Sequence, residues 1–317
     1  MERGTGLART VGQAMGDYDA ECKLLLSEKQ VLARVMHEWL EEFSGLDVGQ
    51  IERECFEDEP RVGSDPVDRD ASPGRVRSLS EEDTTLGEGT TTFDVRFTAR
   101  VPGTDGELVH IEMDVEAQRK YHPGYPITCR GMFYVGRLLS LQGERVIPGA
   151  HYELVRKAVS IWVCTHVPRR LAGTVTSFRM VPECFVGDAR FERAEYDLAE
   201  VIMVCLDDES PGSSAGTLGM LEVLLSRTLR PADKLKVLRD GYGIMVSEDM
   251  GERMGDMCNL GEGIYLEGIE VGREEGREEK LLENLRSLME ELGLTADAAL
   301  KALRVPEADR PRILALL

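Results

Sequence analysis

The chain has 317 residues, 42% of them hydrophobic, and a formal net charge of −20 at pH 7. This length suits one sizeable domain with appendages or two smaller domains, and no apolar run approaches the roughly 18 residues of a membrane span. The N-terminus carries no apolar signal core, and the seven cysteines form no C-x-x-C pair. The composition therefore argues against export, membrane insertion, a disulfide scaffold and a zinc site, and it favours a cytoplasmic protein.

The charge is distributed unevenly along the chain. Residues 17–88 hold 20 acids and 8 bases, whereas residues 119–170 hold 9 bases and 2 acids. A positive segment beside acidic residues is what a phosphate-binding site needs, and it is equally typical of an ordinary solvated surface. The overall acidity thus does not exclude a nucleic-acid partner.

The first predicted element is an amphipathic helix over residues 20–43, where apolar residues recur at helical spacing. A different stripe of this helix carries three acids, Glu38, Glu41 and Glu42. The preceding residues 1–17 are expected to form a flexible N-terminus. Residues 60–90 are rich in Pro, Gly, Ser and acids, and they predict a long irregular insertion.

A β-hairpin is predicted next. Apolar and polar residues alternate in TFDVRFTARV and again in HIEMDVEAQ, and the PGTDG between them is a strong turn signal. If the turn centres on residue 105, Phe97 lies opposite Met113 on the apolar face, and Asp94 lies opposite Glu116 on the polar face. The pattern therefore predicts two carboxylates directly across from each other.

Like charges at such positions destabilise a sheet, and a divalent cation bound between them converts repulsion into ligation. The alternative is a solvated strand pair in which Arg96 bridges to Asp114. The sequence pattern alone leaves both interpretations open.

After the hairpin, residues 125–144 predict a helix with Arg130 and Arg137 on one side. Two continuous apolar runs, 159–167 and 198–208, predict buried strands. Residues 209–219 predict a linker. Residues 220–317 predict a helical C-terminal region with a glycine-spaced stalk, and its last segment also fits a helix-turn-helix.

Several blocks match a known family in order: DYDAECKLLLSEKQVLA, EGTTTFDVRF, VEAQRKYHPGYPITCRG, SIWVC and MCNLGEGI. From about residue 17 to about residue 290 the chain resembles the bacterial PD-(D/E)XK nuclease family transposases, relatives of the recombination-promoting (Rpn) nucleases. The resemblance implies an α/β fold. A restriction-endonuclease-like core over residues 18–208, with a mixed sheet flanked by helices, would precede the helical C-terminal region.

The resemblance also implies metal-dependent hydrolysis of DNA phosphodiester bonds, with Mg²⁺ or Mn²⁺ as the cofactor. Asp94 is then the first catalytic acid, and Glu116 and Gln118 form the second motif. Asp94 and Glu116 are the implied metal ligands. Gln118 stands where many nucleases of the wider superfamily carry lysine, and glutamine is what this family has there; it can position a water but supplies no positive charge.

The remaining site residues are less tightly specified. Lys120 follows Gln118 on the same strand face and would substitute in part for the missing lysine. Arg130 and Arg137 are the expected phosphate-binding side chains, although structural pairing with acids elsewhere is the alternative. Glu42 is the expected acid from the first helix, with Glu38 and Glu41 as rivals.

Three functional classes remain open. The first is a metal-dependent DNA endonuclease acting in recombination or in a mobile element. The second is a catalytically silent relative that binds nucleic acid or protein, which the glutamine and the acidity favour. The third is an assembly module that forms homo-oligomers through the C-terminal helices, and it is compatible with either of the others.

Overall fold

The computed structural model describes residues 18–63, 93–103, 107–143, 147, 151–258 and, near the C-terminus, 280–281, 284–285, 287, 289, 295–303, 305, 310 and 313. The predicted N-terminal segment and nearly all of the predicted 60–90 insertion lie outside these residues, as does most of the glycine-spaced stalk. The chain divides into two compact units, Met15–Leu260 and Met1–Ala14 with Gly261–Leu317.

The first unit is built on a six-stranded sheet. Its strands are β1 (Arg61–Val62), β2 (Val95–Pro102), β3 (Leu108–Lys120), β4 (Lys157–His166), β5 (Thr174–Arg179) and β6 (Ala199–Cys205). Their order across the sheet is β1-β2-β3-β4-β6-β5. The pairs β3–β4 and β4–β6 are parallel and the others antiparallel, so the sheet is mixed. This architecture confirms the predicted α/β class, whereas the narrower restriction-endonuclease-like core remains a prediction.

Helices flank this sheet. They are α1 (18–26), α2 (Lys29–Trp39), α3 (Val48–Glu54), α4 (Ile127–Leu141), α5 (Arg193–Tyr196), α6 (Gly216–Leu224), α7 (Pro231–Tyr242) and α8 (248–258), with short 3₁₀ turns at Glu41–Phe43 and Tyr152–Leu154. Within the part of the chain that the structure describes, no helix is long and apolar enough to cross a bilayer.

The second unit contains α9 (Ala296–Ala302). Its N-terminus is capped by Thr295, whose hydroxyl accepts a hydrogen bond from the Ala298 amide. Ala299 and Leu300 of this helix belong to a small buried cluster, which also contains Leu285, Val305 and Ile313. The unit therefore has a small apolar core of its own.

The prediction of one continuous helix over residues 20–43 is wrong: the segment forms two helices, α1 and α2, followed by a 3₁₀ turn. The first helix ends at residue 26, because the Ser27 hydroxyl donates a hydrogen bond to the Leu24 carbonyl and Glu28 adopts an extended backbone. A second break follows at Leu40, which is also extended. The apolar periodicity continues across both breaks, so it does not reveal them.

The predicted hairpin register is confirmed. Phe97 pairs with Met113, Val95 with Val115 and Arg96 with Asp114, as a turn centred on residue 105 requires. The two buried apolar runs are also strands, β4 and β6, both central in the sheet. Alternation and turn chemistry therefore position β2 and β3 correctly.

Helix α4 covers the face of the sheet that carries the acids. The YHPGYP segment turns the chain with Gly124 at φ +114° and places Pro126 at the helix start. The buried cluster under α4 includes residues of β4 and β6 and comprises Phe93, Ile127, Tyr134, Val135, Leu138, Ala158, Trp162, Cys164, Val201, Met203 and Cys205. A Cβ at Gly131 would lie 2.7 Å from Cγ1 of Val201, so glycine permits this close approach.

We expect Gly131→Ala and Gly136→Ala to shift stability in opposite directions, although both lie in α4. Alanine at the open position Gly136 should stabilise the helix by up to about 1 kcal/mol. Alanine at Gly131 should cost about 1–3 kcal/mol because it overpacks the contact with the sheet. Urea unfolding of the two variants measures both changes. Equal shifts of the same sign would contradict this packing.

The predicted linker at 209–219 overlaps the start of α6. The buried Glu222 carboxylate accepts hydrogen bonds from the amides of Gly212 and Ser214, at 3.1 and 3.2 Å. Glu38 accepts one from the Thr217 amide at 2.7 Å. These bonds hold the glycine- and serine-rich segment within the first unit, and the division between units falls near residue 260.

Candidate active site

Three acidic side chains converge beneath α4. Asp94 immediately precedes β2, and Asp114 and Glu116 lie on the α4-facing side of β3. Their exposed fractions are only 9%, 0% and 4%, respectively. Carboxylates are rarely buried without partners, so this carboxylate cluster needs a specific physical explanation.

Hydrogen bonds fix the geometry of the first pair. The Asp94 amide donates to Oε1 of Glu116 at 2.9 Å, and the Ala117 amide donates to Oδ2 of Asp94, also at 2.9 Å. Each of the two acids is thus held by the backbone of the other strand. The structure brings Asp94 and Glu116 together as the register predicted.

Asp114 is held from the neighbouring strand. The Ser160 hydroxyl donates to Oδ2 of Asp114 at 2.6 Å, and Nε1 of Trp162 donates to the Ser160 oxygen at 2.9 Å. Arg96 lies opposite Asp114 in the strand register, and its Nη2 forms an ion pair with Oε2 of Glu112 at 3.6 Å. A neutral hydroxyl from β4, which the pattern of the hairpin does not indicate, is therefore a direct partner of Asp114.

A lysine from the first helix neutralises part of the cluster. Nζ of Lys23 lies 2.9 Å from Oδ1 of Asp94 and 2.9 Å from Oδ2 of Asp19, one turn earlier in α1. Sequence reasoning missed Lys23 and Ser160. The i,i+4 spacing of Asp19 and Lys23, and the serine in the middle of the apolar run of β4, were the available signals.

Burial dominates the ionisation of these acids. It raises the pKa of Asp94, while the Lys23 ammonium opposes the rise. It raises the pKa of Asp114 to about 7. The pKa of Glu116 is raised well above its usual value, by burial first and then by the charges of Asp114 and Asp94. Because the two side chains also interact with each other, we expect Asp114 and Glu116 to share a proton near neutral pH.

The shared proton makes stability depend on pH. From about pH 5 to about pH 8 these two acids bind more protons in the folded protein than in the unfolded chain, where acids titrate near 4, so their contribution to the free energy of unfolding should fall as the pH rises. Asp114→Asn removes one of the raised groups and should flatten this slope. Urea unfolding at several pH values measures it, with the exposed Asp233→Asn as the control. An unchanged slope in Asp114→Asn would contradict the shared proton.

Arg130 lies beside the cluster. Its Nη2 donates to the Tyr134 hydroxyl at 2.7 Å, its Nη1 donates to the Tyr125 hydroxyl at 3.1 Å, and its guanidinium lies 5.5 Å from the Trp162 ring centroid. Burial lowers the pKa of Arg130, but Tyr134, Tyr125 and the Glu116 carboxylate outweigh it and leave the pKa raised. The arginine is therefore a fixed positive charge next to the acids.

The other predicted site residues are placed less directly. The Arg137 guanidinium lies 5.0 Å from the Phe133 ring centroid, two helical turns beyond Arg130 in α4. Lys120 ends β3 and pairs with His166 through the backbone, but its side chain lies outside the described residues. Gln118 is half-buried, follows Glu116 on the same face and lies opposite Cys164. Arg130 is thus the predicted base with the best-defined place at the cluster.

The structure does not bring Glu42 to this cluster. Oε1 of Glu42 lies 2.7 Å from Nζ of Lys157, the first residue of β4, whose side chain points to the opposite face of the sheet. Along β4, Lys157 is five residues, or about 16 Å, before the position opposite Glu116. The expectation of Glu42 as the helix acid is therefore wrong, because the break after α2 directs it elsewhere.

Its two rivals are also occupied elsewhere. Glu41 forms ion pairs with Arg179 and Arg193, and Glu38 accepts the Thr217 amide hydrogen bond. Helix α1, rather than the segment after α2, reaches the carboxylate cluster. It does so with a lysine.

The cluster's donor chemistry suits a hard divalent cation such as Mg²⁺, which prefers carboxylate oxygens. Oδ1 of Asp114 is buried and, among the described residues, receives no hydrogen bond from a donor group. A proton shared with Glu116 or a bound cation would satisfy it. However, no three described His, Cys, Asp or Glu side chains are already arranged around a metal position. A cation bound at Asp94 would lie close to the Lys23 ammonium, which already pairs with Oδ1 and would repel it.

Comparison with protein-family models, with curated proteins and with solved structures gives no match. The likeness to the nuclease family thus rests on the sequence blocks. The carboxylate cluster and Arg130 are the structural features that bear on it.

Proposed function

We propose that this protein is a metal-dependent DNA endonuclease that hydrolyses phosphodiester bonds, in recombination or in the activity of a mobile element. The observation that carries the proposal is the buried carboxylate cluster of Asp94, Asp114 and Glu116, with raised pKa values and Arg130 beside it. Burying three acids side by side costs stability, and perturbed acids of this kind concentrate at functional sites. The motif blocks support the same function independently of the geometry.

In this mechanism Asp94 and Glu116 would hold one or two Mg²⁺ or Mn²⁺ ions, which when bound activate a water and stabilise the leaving 3′ oxygen. The chain's own residues prepare the site. Glu116 and Asp114 would both have to be ionised to hold a cation, and Lys23, which pairs with Asp94 in this structure, would compete with the cation for that carboxylate.

Two further side chains contribute to the substrate complex. Arg130 orients a phosphate, because Tyr134 and Tyr125 fix its guanidinium in place. Gln118 holds the attacking water through its amide, without the positive charge that a lysine would add. We expect a slower reaction than in a lysine-containing relative.

The test is cleavage of supercoiled plasmid by the full chain with Mg²⁺, with Mn²⁺ and with a chelator. Nicking or linearisation that requires the metal supports the proposal. An intact plasmid under both metals, with protein that is folded by circular dichroism, would reject it.

A specific observation favours a second candidate, the catalytically silent module that binds nucleic acid or protein. The Lys23 ammonium already pairs with Asp94, and all three acids are at least nine-tenths buried. A cluster closed in this way serves as a structural ion network. Calorimetric titration with Mg²⁺ and Mn²⁺ distinguishes the two, because the silent module binds neither ion at this cluster.

A further inference from the structure

The two edge strands of the sheet differ in how well they are protected against pairing with a strand from another chain. At one edge, β1 is two residues long and contains Arg61, which suits an edge that resists pairing. At the other, β5 is six residues long, and no described strand pairs with its outer side. It contains no proline or lysine, and its terminal Arg179 is paired with Glu41. As far as the described residues show, the outer side of β5 is therefore available for pairing with another strand.

An exposed apolar segment follows directly after this strand. Within residues 180–191, Val186 is 92% exposed, Phe185 86% and Val181 82%. Phe191 and Met180 are exposed by 60% and 58%. Apolar side chains gathered beside an open edge are the usual mark of an interaction surface.

The size of this surface fits association with another protein chain. Two phenylalanines and three aliphatic side chains offer on the order of 500 Å² of apolar area, and strand pairing adds to it. A stable interface needs about 800 Å² from each partner. The edge and the segment together come close to that requirement.

The local charge identifies the kind of partner. Residues 174–191 contain two bases, Arg179 and Arg190, and two acids, Glu183 and Asp188, in a chain whose net charge is −20. A nucleic acid needs a positive surface and a basic partner needs a negative one. A surface of zero net charge is instead where two copies of an acidic chain approach with least repulsion.

From the open edge, the apolar segment and the local neutrality, we propose that two copies of this chain dimerise through β5 and residues 180–191. The two β5 strands pair antiparallel about a twofold axis and join two six-stranded sheets into one. In such a pair one central residue, Thr176 or Ser177, lies opposite its own copy. This surface is distinct from the C-terminal helices and independent of the proposed nuclease activity.

The first test is the mass of the full chain by sedimentation over a wide range of concentrations. The double variant Phe185→Asp with Val186→Asp should raise the dimer Kd by at least about tenfold. Met245→Asp is the matched control, because Met245 is also 82% exposed but lies elsewhere. A wild-type chain that stays monomeric, or a dimer that tolerates the double variant, would overturn the proposal.

The second test is disulfide cross-linking after the exposed Cys129 and Cys184 have been replaced by serine. Thr176→Cys or Ser177→Cys should then yield a covalent dimer under mild oxidation, because one of them faces its own copy. If the chain is dimeric and neither variant cross-links, the strand pairing is refuted.

Discussion

Asp94→Asn and Glu116→Gln should each lower the rate of metal-dependent plasmid cleavage by at least about 100-fold. Each substitution removes a charge but keeps the size and an acceptor oxygen. The amide oxygen introduced at position 94 can still accept from the Ala117 amide, and the one introduced at position 116 can still accept from the amide of residue 94. The expected loss therefore comes from metal binding rather than from collapse of the strand pair. Initial rates at several metal concentrations measure it.

Two controls separate this effect from nonspecific damage. Glu153→Gln removes an exposed acid and should leave the cleavage rate unchanged. Glu42→Gln should also retain the cleavage rate per folded molecule, because Glu42 lies on the opposite face of the sheet with Lys157. Full activity in Asp94→Asn or Glu116→Gln would show that the carboxylate cluster is not needed for cleavage. A large loss of activity in Glu42→Gln would show that Glu42 is a catalytic acid after all.

Lys157→Met should lower the free energy of unfolding by about 3–5 kcal/mol. Nζ of Lys157 lies within 3.2 Å of Glu42, Asp197 and Glu200, and the side chain is almost fully buried. Methionine has a similar length but no charge. The substitution would leave the three acids close together in a largely buried region without the positive charge of Lys157.

The matched control is Arg230→Met, which removes a base from an exposed ion pair with Asp233. Exposed pairs contribute little, so this change should cost less than about 1 kcal/mol. Urea unfolding of both variants at neutral pH gives the comparison. If the two variants lost similar amounts of unfolding free energy, the ion pairs of Lys157 would contribute no more to stability than an exposed ion pair does.

The hairpin, its register and the face that carries the acids follow from local sequence. Alternation has a period of two, and PGTDG fixes the turn, so the placement of Asp94 opposite Glu116 needs no information from distant residues. The apolar runs of β4 and β6 and the helix α4 were predictable for the same reason. Each is specified by residues within a short stretch of chain.

Which distant groups meet the acids depends instead on how the elements pack in three dimensions. The parallel pairing of β3 with β4 brings Ser160 to Asp114, and the packing of α1 brings Lys23 to Asp94. Periodicity assigns a residue to a face but does not say which neighbouring element supplies its partner. The prediction for Glu42 failed for this reason. A break of one or two residues after α2 does not disturb the apolar pattern, yet it redirects the side chains that follow.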